Sequence, residues 1–467
     1  MSCRNGQKLF RFNSLFFRFN IFRDKQAYDL FTFIKKNTMR RKKLLYITVV
    51  LFICSNQINA QDWPRFLGPD MNSTSPQKGL LRSWPEAGPA VLWTTNVGPG
   101  YGGPVIQAGK VYLLDRDDNT GDIMRCFDFN TGKELWSYSY NAPGSVRYPG
   151  SRSVPTIDGN RIYSCGPYGD LYCIDINTHK PLWNKNIMKD FGGTKPPVWA
   201  ISQCPLVYGD LLIVSYSQDP NAGLVAYNKM TGAIVWKTEA IGNETYASPS
   251  IAKISGEDHL VMIFSSTNTF MHKESPVTKG KILGMKPQTG QILWEYNNWE
   301  NMIQTGPAFD AGENRILAVG GYELGTAMIK VGKKADGSYT VTELFRHNDF
   351  GDHTKSPILH NGYFYAQFST NSKRDGLACM DMNGKVMWKT MRNPLFDKGS
   401  MILADGLILA TDGNKSLYLI QPDPSGFKPL ASAELLDMGQ NWAPIALVDG
   451  KLLIRDQAKL LCVKVTK

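Results

Sequence analysis

Residues 130–136 read NTGKELW, and the same phrase returns as NTHKPLW at 177–183, MTGAIVW at 230–236, QTGQILW at 288–294 and MNGKVMW at 382–388. Each copy is a tight turn followed by a short strand that carries a tryptophan. Trp93, Trp136, Trp183, Trp236, Trp294 and Trp388 stand 43, 47, 53, 58 and 94 residues apart. The last interval holds two repeats, with ELF at 343–345 as the worn copy, and AELL at 433–436 is a final worn copy. A period of this size marks a repeat architecture rather than a set of unrelated domains.

Working outward, each tryptophan strand is preceded by a small residue, usually a proline, and a short apolar run. Examples are GPVIQAGKVYLL (103–114), VPTIDGNRIYS (154–164), CPLVYGDLLIV (204–214) and APIALVDGKLLI (443–454), and there are eight such copies. The turn inside each run carries a glycine, as a tight hairpin prefers. A third alternating strand follows, such as DLYCIDI (170–176). Four short antiparallel strands in about 45 residues make a propeller blade. The chain ends after three strands of the eighth unit, and PAVLWTTNV (89–97) precedes the first full unit without one of its own. That strand is expected to complete blade eight, so that no sheet edge stays open. The expectation is therefore an all-β, eight-bladed β-propeller over 89–467, with 61–88 packing on it. The six tryptophans are read as blade-docking residues that bury apolar area between neighbours.

The 467 residues carry a formal charge of +11, but twelve Lys/Arg against Asp24 and Asp29 sit in residues 1–60. The remaining 40 basic and 39 acidic residues nearly cancel. The basic balance belongs to the leader, which removes the charge argument for a nucleic-acid partner. From Met39, MRRKK followed by LLYITVVLFIC (44–54) and SNQINA reads as a secretory signal peptide over 39–60. Ile53 is too bulky to precede a lipidated Cys54. Residues 1–38 read as an extension or a mis-set start. The mature chain is expected to be exported to the periplasm or beyond, possessing no transmembrane span, and to be monomeric.

Six cysteines follow the leader. Cys126, Cys173, Cys379 and Cys462 occupy one equivalent slot of the third strand, where Ala226 and Gly284 stand in other blades. A small buried residue suits that slot, and a thiol fits it. Cys165 and Cys173, across one hairpin, are the one candidate disulfide. The six histidines lack metal-ligand spacing, and no nucleophile elbow, P-loop or HExxH is present. DRDDNTGD (115–122) is read as a hairpin turn before a calcium loop.

Alignment at the proline places one residue per blade at the start of the innermost strand: Tyr101, Arg152, Ser202, Tyr246, Gln304, Thr354, Lys398 and Asn441. Gln203, Lys355 and Trp442 follow directly in three copies, and Trp199 lies just upstream in a fourth. All are polar or aromatic, whereas the strands that follow are apolar. These residues are expected to form a ring at one mouth of the central channel. The ring suits an anionic or hydroxyl-rich ligand; a water-filled mouth is the plain alternative. It contains no carboxylate trio.

The D-x-x-T-G-x-x-x-W pattern resembles the tryptophan-docking repeat of the pyrroloquinoline-quinone (PQQ) propeller superfamily. DWPRFLGPDMNSTS (62–75), VRYPGSRSVPTIDG (146–159) and KDFGG (189–193) are similar to a secreted group within it. The resemblance covers about 61–467. It implies the fold and leaves two functions: a non-enzymatic binding or assembly scaffold at the cell envelope, recognising a protein, envelope component or glycan, or a quinoprotein-type alcohol or sugar dehydrogenase. The second would bring PQQ with calcium. The sequence has neither the adjacent cysteine pair of the methanol-dehydrogenase type nor calcium ligands in recognisable contexts, so the scaffold is the leading expectation and no catalytic residue or metal ligand is assigned.

Overall fold

The computed structural model describes residues 61–467 apart from 219–220, 244–245, 265–279, 300–305, 322–323 and 369–373. The extension and signal peptide expected over 1–60, and Gln304, lie outside the described residues. The described residues form eight antiparallel β-sheets and one short 3-10 turn, Lys189–Phe191. The chain is an all-β, eight-bladed propeller.

Blade 1 is built from Val105–Gln107, Lys110–Asp117, Gly121–Asp128 and Glu134–Ser139, in order from the channel outward. Blades 2 to 7 repeat the order, with innermost strands at Thr156–Asp158, Leu206–Tyr208, Ser250–Ile254, Phe309–Asp310, Ile358–His360 and Met401–Ala404. Blade 8 takes three strands from the C-terminus, Ala446–Val448, Lys451–Arg455 and Lys459–Lys464. Its outermost strand is Val91–Asn96, which pairs antiparallel with Lys459–Lys464. The ring is thus closed by joining the two ends of the chain, the arrangement that leaves no blade short of a strand.

The repeated turn and the repeated tryptophan meet across most blade seams, while Trp294 donates its indole N–H to His259 of its own blade. Gly132 of NTGKELW has φ of 70°, a left-handed conformation that costs glycine nothing. A Cβ there would lie 2.4 Å from the Trp93 ring of blade 8, so the bare backbone is the surface on which the indole rests. The Trp93 indole N–H donates to the Phe129 carbonyl of the same turn at 3.0 Å. Trp183 donates likewise to Lys229, Trp236 to Pro287 and Trp388 to Asp423, each in the next blade. Two seams vary the device. Trp136 stacks on His179 with ring centroids 4.6 Å apart, and His179 takes the left-handed position of the missing glycine at φ 60°. Phe345 serves blade 5, lying over the turn of blade 6 at Gly384. The small third-strand slot is explained by the same contact. Cys126, Cys173, Cys379 and Cys462 are the direct cross-strand partners of Trp136, Trp183, Trp388 and Trp93.

Cys165 and Cys173 are both buried and are not disulfide-bonded. Their register explains it: Cys165 faces Leu171, and Cys173 faces Tyr163, so the two sulfurs are not opposite one another. The expected candidate pair is therefore corrected to two separate core thiols. DRDDNTGD is a hairpin turn. Asp117 caps the backbone N–H groups of Asn119 and Thr120, while Asp122 accepts from Arg116 inside the blade.

The segment after residue 61 crosses the far ends of the innermost strands. Trp63 exchanges backbone hydrogen bonds with Ile106 of blade 1, Pro64 accepts from Ile157 of blade 2, and Thr74–Ser75 runs parallel to Met401–Ala404 of blade 7. It thereby brings Phe66 and Leu67, both buried, to the channel axis. No helix among the described residues is long and apolar enough to cross a membrane.

Candidate functional site

The residues that precede the innermost strands converge on the channel end opposite the N-terminal segment. They line a cavity of about 190 Å³. Tyr101, Arg152, Ser202, Tyr246, Thr354 and Lys398 of the aligned ring all reach it, together with Lys355, Trp442 and Trp199. Phe66 of the N-terminal segment lines it from the other side, so the cavity is a well with an aromatic floor. Gln203 and Asn441 are not brought to it. Gln203 is buried and exchanges two hydrogen bonds with the backbone of Ser215 at 2.6 Å. Asn441 is buried and donates to the carbonyls of Asn414 and Met438. Both amides are spent on fixing the loops behind the wall.

Eight further lining residues were not anticipated from sequence, and three of them bring an aromatic ring to the wall. Tyr148 comes from the long loop before blade 2, His353 precedes Thr354, and Phe66 lies in the N-terminal segment. Tyr148 stood in an aromatic-bearing loop of VRYPGSRSVP, which is the only signal that pointed to it.

The aromatic residues form two groups. Tyr101 and Trp442 stack at 5.2 Å with 28° between planes, and Tyr148 meets the Tyr101 ring edge-on at 6.1 Å. Across the well, Trp199 and Tyr246 make an edge contact at 5.7 Å. The cations sit on these rings. The Lys398 ammonium lies 4.7 Å from the Trp442 ring centre and the Arg152 guanidinium 5.9 Å from that of Tyr101. Such contacts favour a cation on the face of an aromatic ring. Arg152 is aimed by its own loop, donating to the carbonyls of Tyr148 and Gly150. Lys355 donates to the Thr354 hydroxyl at 2.9 Å and to the Lys398 carbonyl at 3.1 Å. Lys398 pairs with Asp397 at 2.8 Å.

Burial dominates the electrostatics. It pulls the Arg152 guanidinium down to about 10 and the Lys355 ammonium down to about 8, with Lys398 pushing Lys355 the same way and Asp352 opposing. Arg152 remains charged at neutral pH, and Lys355 is partly neutral. Burial also holds His353 neutral, with a pKa of about 3. No carboxylate stands among the described residues that line the well. The wall is therefore positive and aromatic, with Asp397 behind it as the partner of Lys398.

The backbone is held in unusual conformations around the same mouth. Tyr246 and Lys398 line the well at φ of 65° and 61°, and Ala200 and Gln440 next to it have φ of 60° and 61°. Gln440 accepts from the Tyr101 hydroxyl at 3.1 Å. Left-handed non-glycine residues cost free energy and persist where surrounding structure over-determines them, which is common at binding sites.

Eight four-stranded blades, six of them carrying the repeated tryptophan, around an axial well define a PQQ-type propeller. The profile of the family described as "Outer membrane protein assembly factor BamB" matches residues 119–390, more than half of the chain, and the chain belongs to that family. Its relatives include an assembly factor, quinoprotein dehydrogenases and a tetrathionate hydrolase. Outer membrane protein assembly factor BamB of Moranella endobia is 22% identical over 357 residues, which cover 71% of this chain and 69% of that protein. Quinoprotein ethanol dehydrogenase of Pseudomonas aeruginosa is 27% identical over 165 residues, 34% of this chain and 24% of that enzyme. The match thus spans about a quarter of the dehydrogenase. Solved structures with this fold include a dehydrogenase and a BamB. Quinohemoprotein alcohol dehydrogenase from Comamonas testosteroni superposes with a TM-score of 0.59 at 14% identity, covering 89% of this chain and 82% of the other. BamB from Moraxella catarrhalis gives 0.51 at 13%, covering 79% and 97%. These likenesses show the shared fold.

Among the described residues no group of three His, Cys, Asp or Glu is placed to hold a metal ion. The well offers two lysines, an arginine, hydroxyls and aromatic rings but no carboxylate, which does not suit a calcium ion held by oxygen ligands, carboxylates foremost.

Proposed function

We propose that this protein is a non-enzymatic binding propeller of the cell envelope, whose axial well captures a small anionic ligand, with an acidic sugar of an envelope glycan as the best match. The observation that carries the reading is the wall itself: Arg152, Lys355 and Lys398 over stacked aromatic rings, with no lining carboxylate among the described residues. Arg152 and Lys398 would bind the carboxylate by charge-assisted hydrogen bonds. The Tyr101–Trp442 stack offers an apolar face to a sugar ring. Export follows from the leader at 39–60 and agrees with the envelope role named for the BamB relatives. Protein partners of the assembly kind would engage the rim and outer surface, leaving the well for the small ligand.

The test is a titration of the purified protein with galacturonate, read by the fluorescence of Trp199 and Trp442. The expected result is saturable quenching that galactose does not produce and that weakens with salt. Arg152→Ala and Lys398→Ala should each weaken binding about ten- to a hundredfold, the worth of one charge-assisted hydrogen bond. Absence of quenching at any concentration would overturn the reading.

A quinoprotein oxidoreductase is the second reading, favoured by the dehydrogenase relatives and by a cationic, aromatic well that could take an anionic quinone. The lack of a carboxylate among the described residues that line the well weighs against it. Saturable quenching by PQQ with calcium, joined to alcohol-dependent dye reduction, would replace the first reading with this one.

A further inference from the structure

Lys355 is the least expected residue in the well. It is 5% exposed, yet it lines the cavity. Buried ammonium groups are normally paired with a carboxylate. Lys355 has no carboxylate within ion-pair distance among the described residues; its hydrogen bonds go to one hydroxyl and one carbonyl. The nearby acids are otherwise engaged. Asp352 accepts the backbone N–H groups of Thr354 and Lys355, and Asp397 is taken by Lys398. The other titratable neighbour, His353, is held neutral by burial. Burial lowers the pKa of the Lys355 amine most; Asp352 and Asp397 act against it, and a second cation, Lys398, acts with it. A lysine desolvated beside another cation is the arrangement that frees the lone pair for attack on a carbonyl group.

We propose that Lys355 is a carbonyl-reactive amine that condenses with a small α-oxo acid held in the axial well. The proposal rests on the reading of the well as an anion site. An α-oxo acid places its carboxylate beside its carbonyl group, so Lys398 can meet the first while Lys355 meets the second. The Lys355 nitrogen adds to the carbonyl carbon, forming a C–N bond. The carbonyl oxygen leaves as water with the two amine hydrogens, and a C=N bond remains. No oxidant or reductant is consumed. The open mouth admits the ligand, and Phe66 limits its length.

The experiment traps the imine. The purified protein is incubated with glyoxylate and cyanoborohydride near neutral pH, and every lysine is mapped by peptide mass spectrometry for carboxymethylation. A lysine with a pKa of about 8 is about a hundredfold richer in free amine than an ordinary one. Lys355 is expected to label at least tenfold faster than the exposed Lys78 and Lys464. Labelling of Lys355 at or below the surface rate would overturn the proposal. Oxalate, a dianion of similar size that forms no imine, is titrated in parallel by tryptophan fluorescence. Quenching by oxalate without Lys355 labelling sinks the imine and leaves the anion site standing. If neither quenching nor labelling occurs, both readings fall. Lys355→Met should remove the label and, with one cation of the wall lost, weaken oxalate quenching; the wild-type map decides the matter by itself if that variant does not fold.

Discussion

Two of the docking tryptophans provide an internal control on what holds the ring together. Trp236 is buried, and its indole N–H donates to the Pro287 carbonyl of the next blade at 3.0 Å. The indole nitrogen of Trp136 is also buried but has no hydrogen-bond partner among the described residues; the ring is held by stacking on His179. Substitution by phenylalanine removes a similar piece of aromatic surface at both sites. Only Trp236→Phe also removes a hydrogen bond and leaves a seam carbonyl short of its donor. The net worth of such a bond is about 1 kcal/mol. Trp136→Phe, by contrast, removes a buried donor that is already unsatisfied, which offsets part of its lost packing. Trp236→Phe is therefore expected to be more destabilising than Trp136→Phe by roughly 1–2 kcal/mol. Phe345 shows that a phenyl ring is tolerated at a seam, so both variants should fold. The assay is urea unfolding followed by far-ultraviolet circular dichroism, with the midpoints and slopes of the two variants compared. Equal midpoints, or a larger loss for Trp136→Phe, would refute the claim that the indole-to-carbonyl bond contributes to closing the seams.

Gly132→Ala and Gly109→Ala both force a left-handed alanine, at φ of 70° and 72°, but only the first sets its Cβ against an indole. The strain common to both costs roughly 1–2 kcal/mol, and displacement of Trp93 should add about 1–3 kcal/mol to Gly132→Ala in the same unfolding assay. Burial lifts Asp122 to about 6, with Ser151 and Arg116 opposing. The folded state then binds a proton more tightly than the unfolded one, so stability falls as pH rises from about 4 to about 6; Asp122→Asn should flatten that part of the urea-midpoint profile. Lys355 titrates in the opposite sense. Its pKa is lowered in the folded state, so stability should rise with pH from about 8 to about 10, and Lys355→Met should remove that rise. The six cysteines after the leader are buried, and the thiols of Cys126 and Cys173 are pushed up by burial to about 11 and 12. An aromatic disulfide reagent should find no fast-reacting thiol in the native protein made as residues 61–467, and six after unfolding without reductant.

The fold was legible because its signals are periodic. A turn and a tryptophan repeated along the chain state both the length of a blade and the contact between blades. The strand count alone placed Val91–Asn96 in the last sheet. The site was less legible because the proline alignment gives a position along a strand and not a direction. Neighbouring residues in extended chain face opposite ways, so a displacement of one residue exchanges wall for interior. In blade 8 it is Trp442 that faces the well while Asn441 turns back to the loop carbonyls. In blade 3 Ser202 faces it and Gln203 ties the wall to Ser215. The loop residue Tyr148 and the floor residue Phe66 belong to segments outside the repeat, where no periodicity could report them.

Seam and mouth differ in how far they repeat. Six seams set an aromatic ring over the turn of the next blade, Trp93, Trp136, Trp183, Trp236 and Trp388 with Phe345 at blade 5. The mouth has no such repetition: Tyr, Arg, Ser, Tyr, Thr and Lys stand at equivalent places. A channel that only held water would need polar residues there, but it would not need them ordered. Here Lys398 is set over Trp442, Trp442 is stacked on Tyr101, Tyr101 is tied to Gln440, and Arg152 is clamped by two carbonyls of its own loop. Ordering such side chains costs rotamer entropy, and left-handed Tyr246 and Lys398 add backbone strain. These costs fall on one mouth of the channel, while the N-terminal segment closes the other with Phe66. A well closed below, open above and lined by pre-aimed cations is built for a ligand that enters from one side, and its chemistry differs from blade to blade because that ligand has no eightfold symmetry.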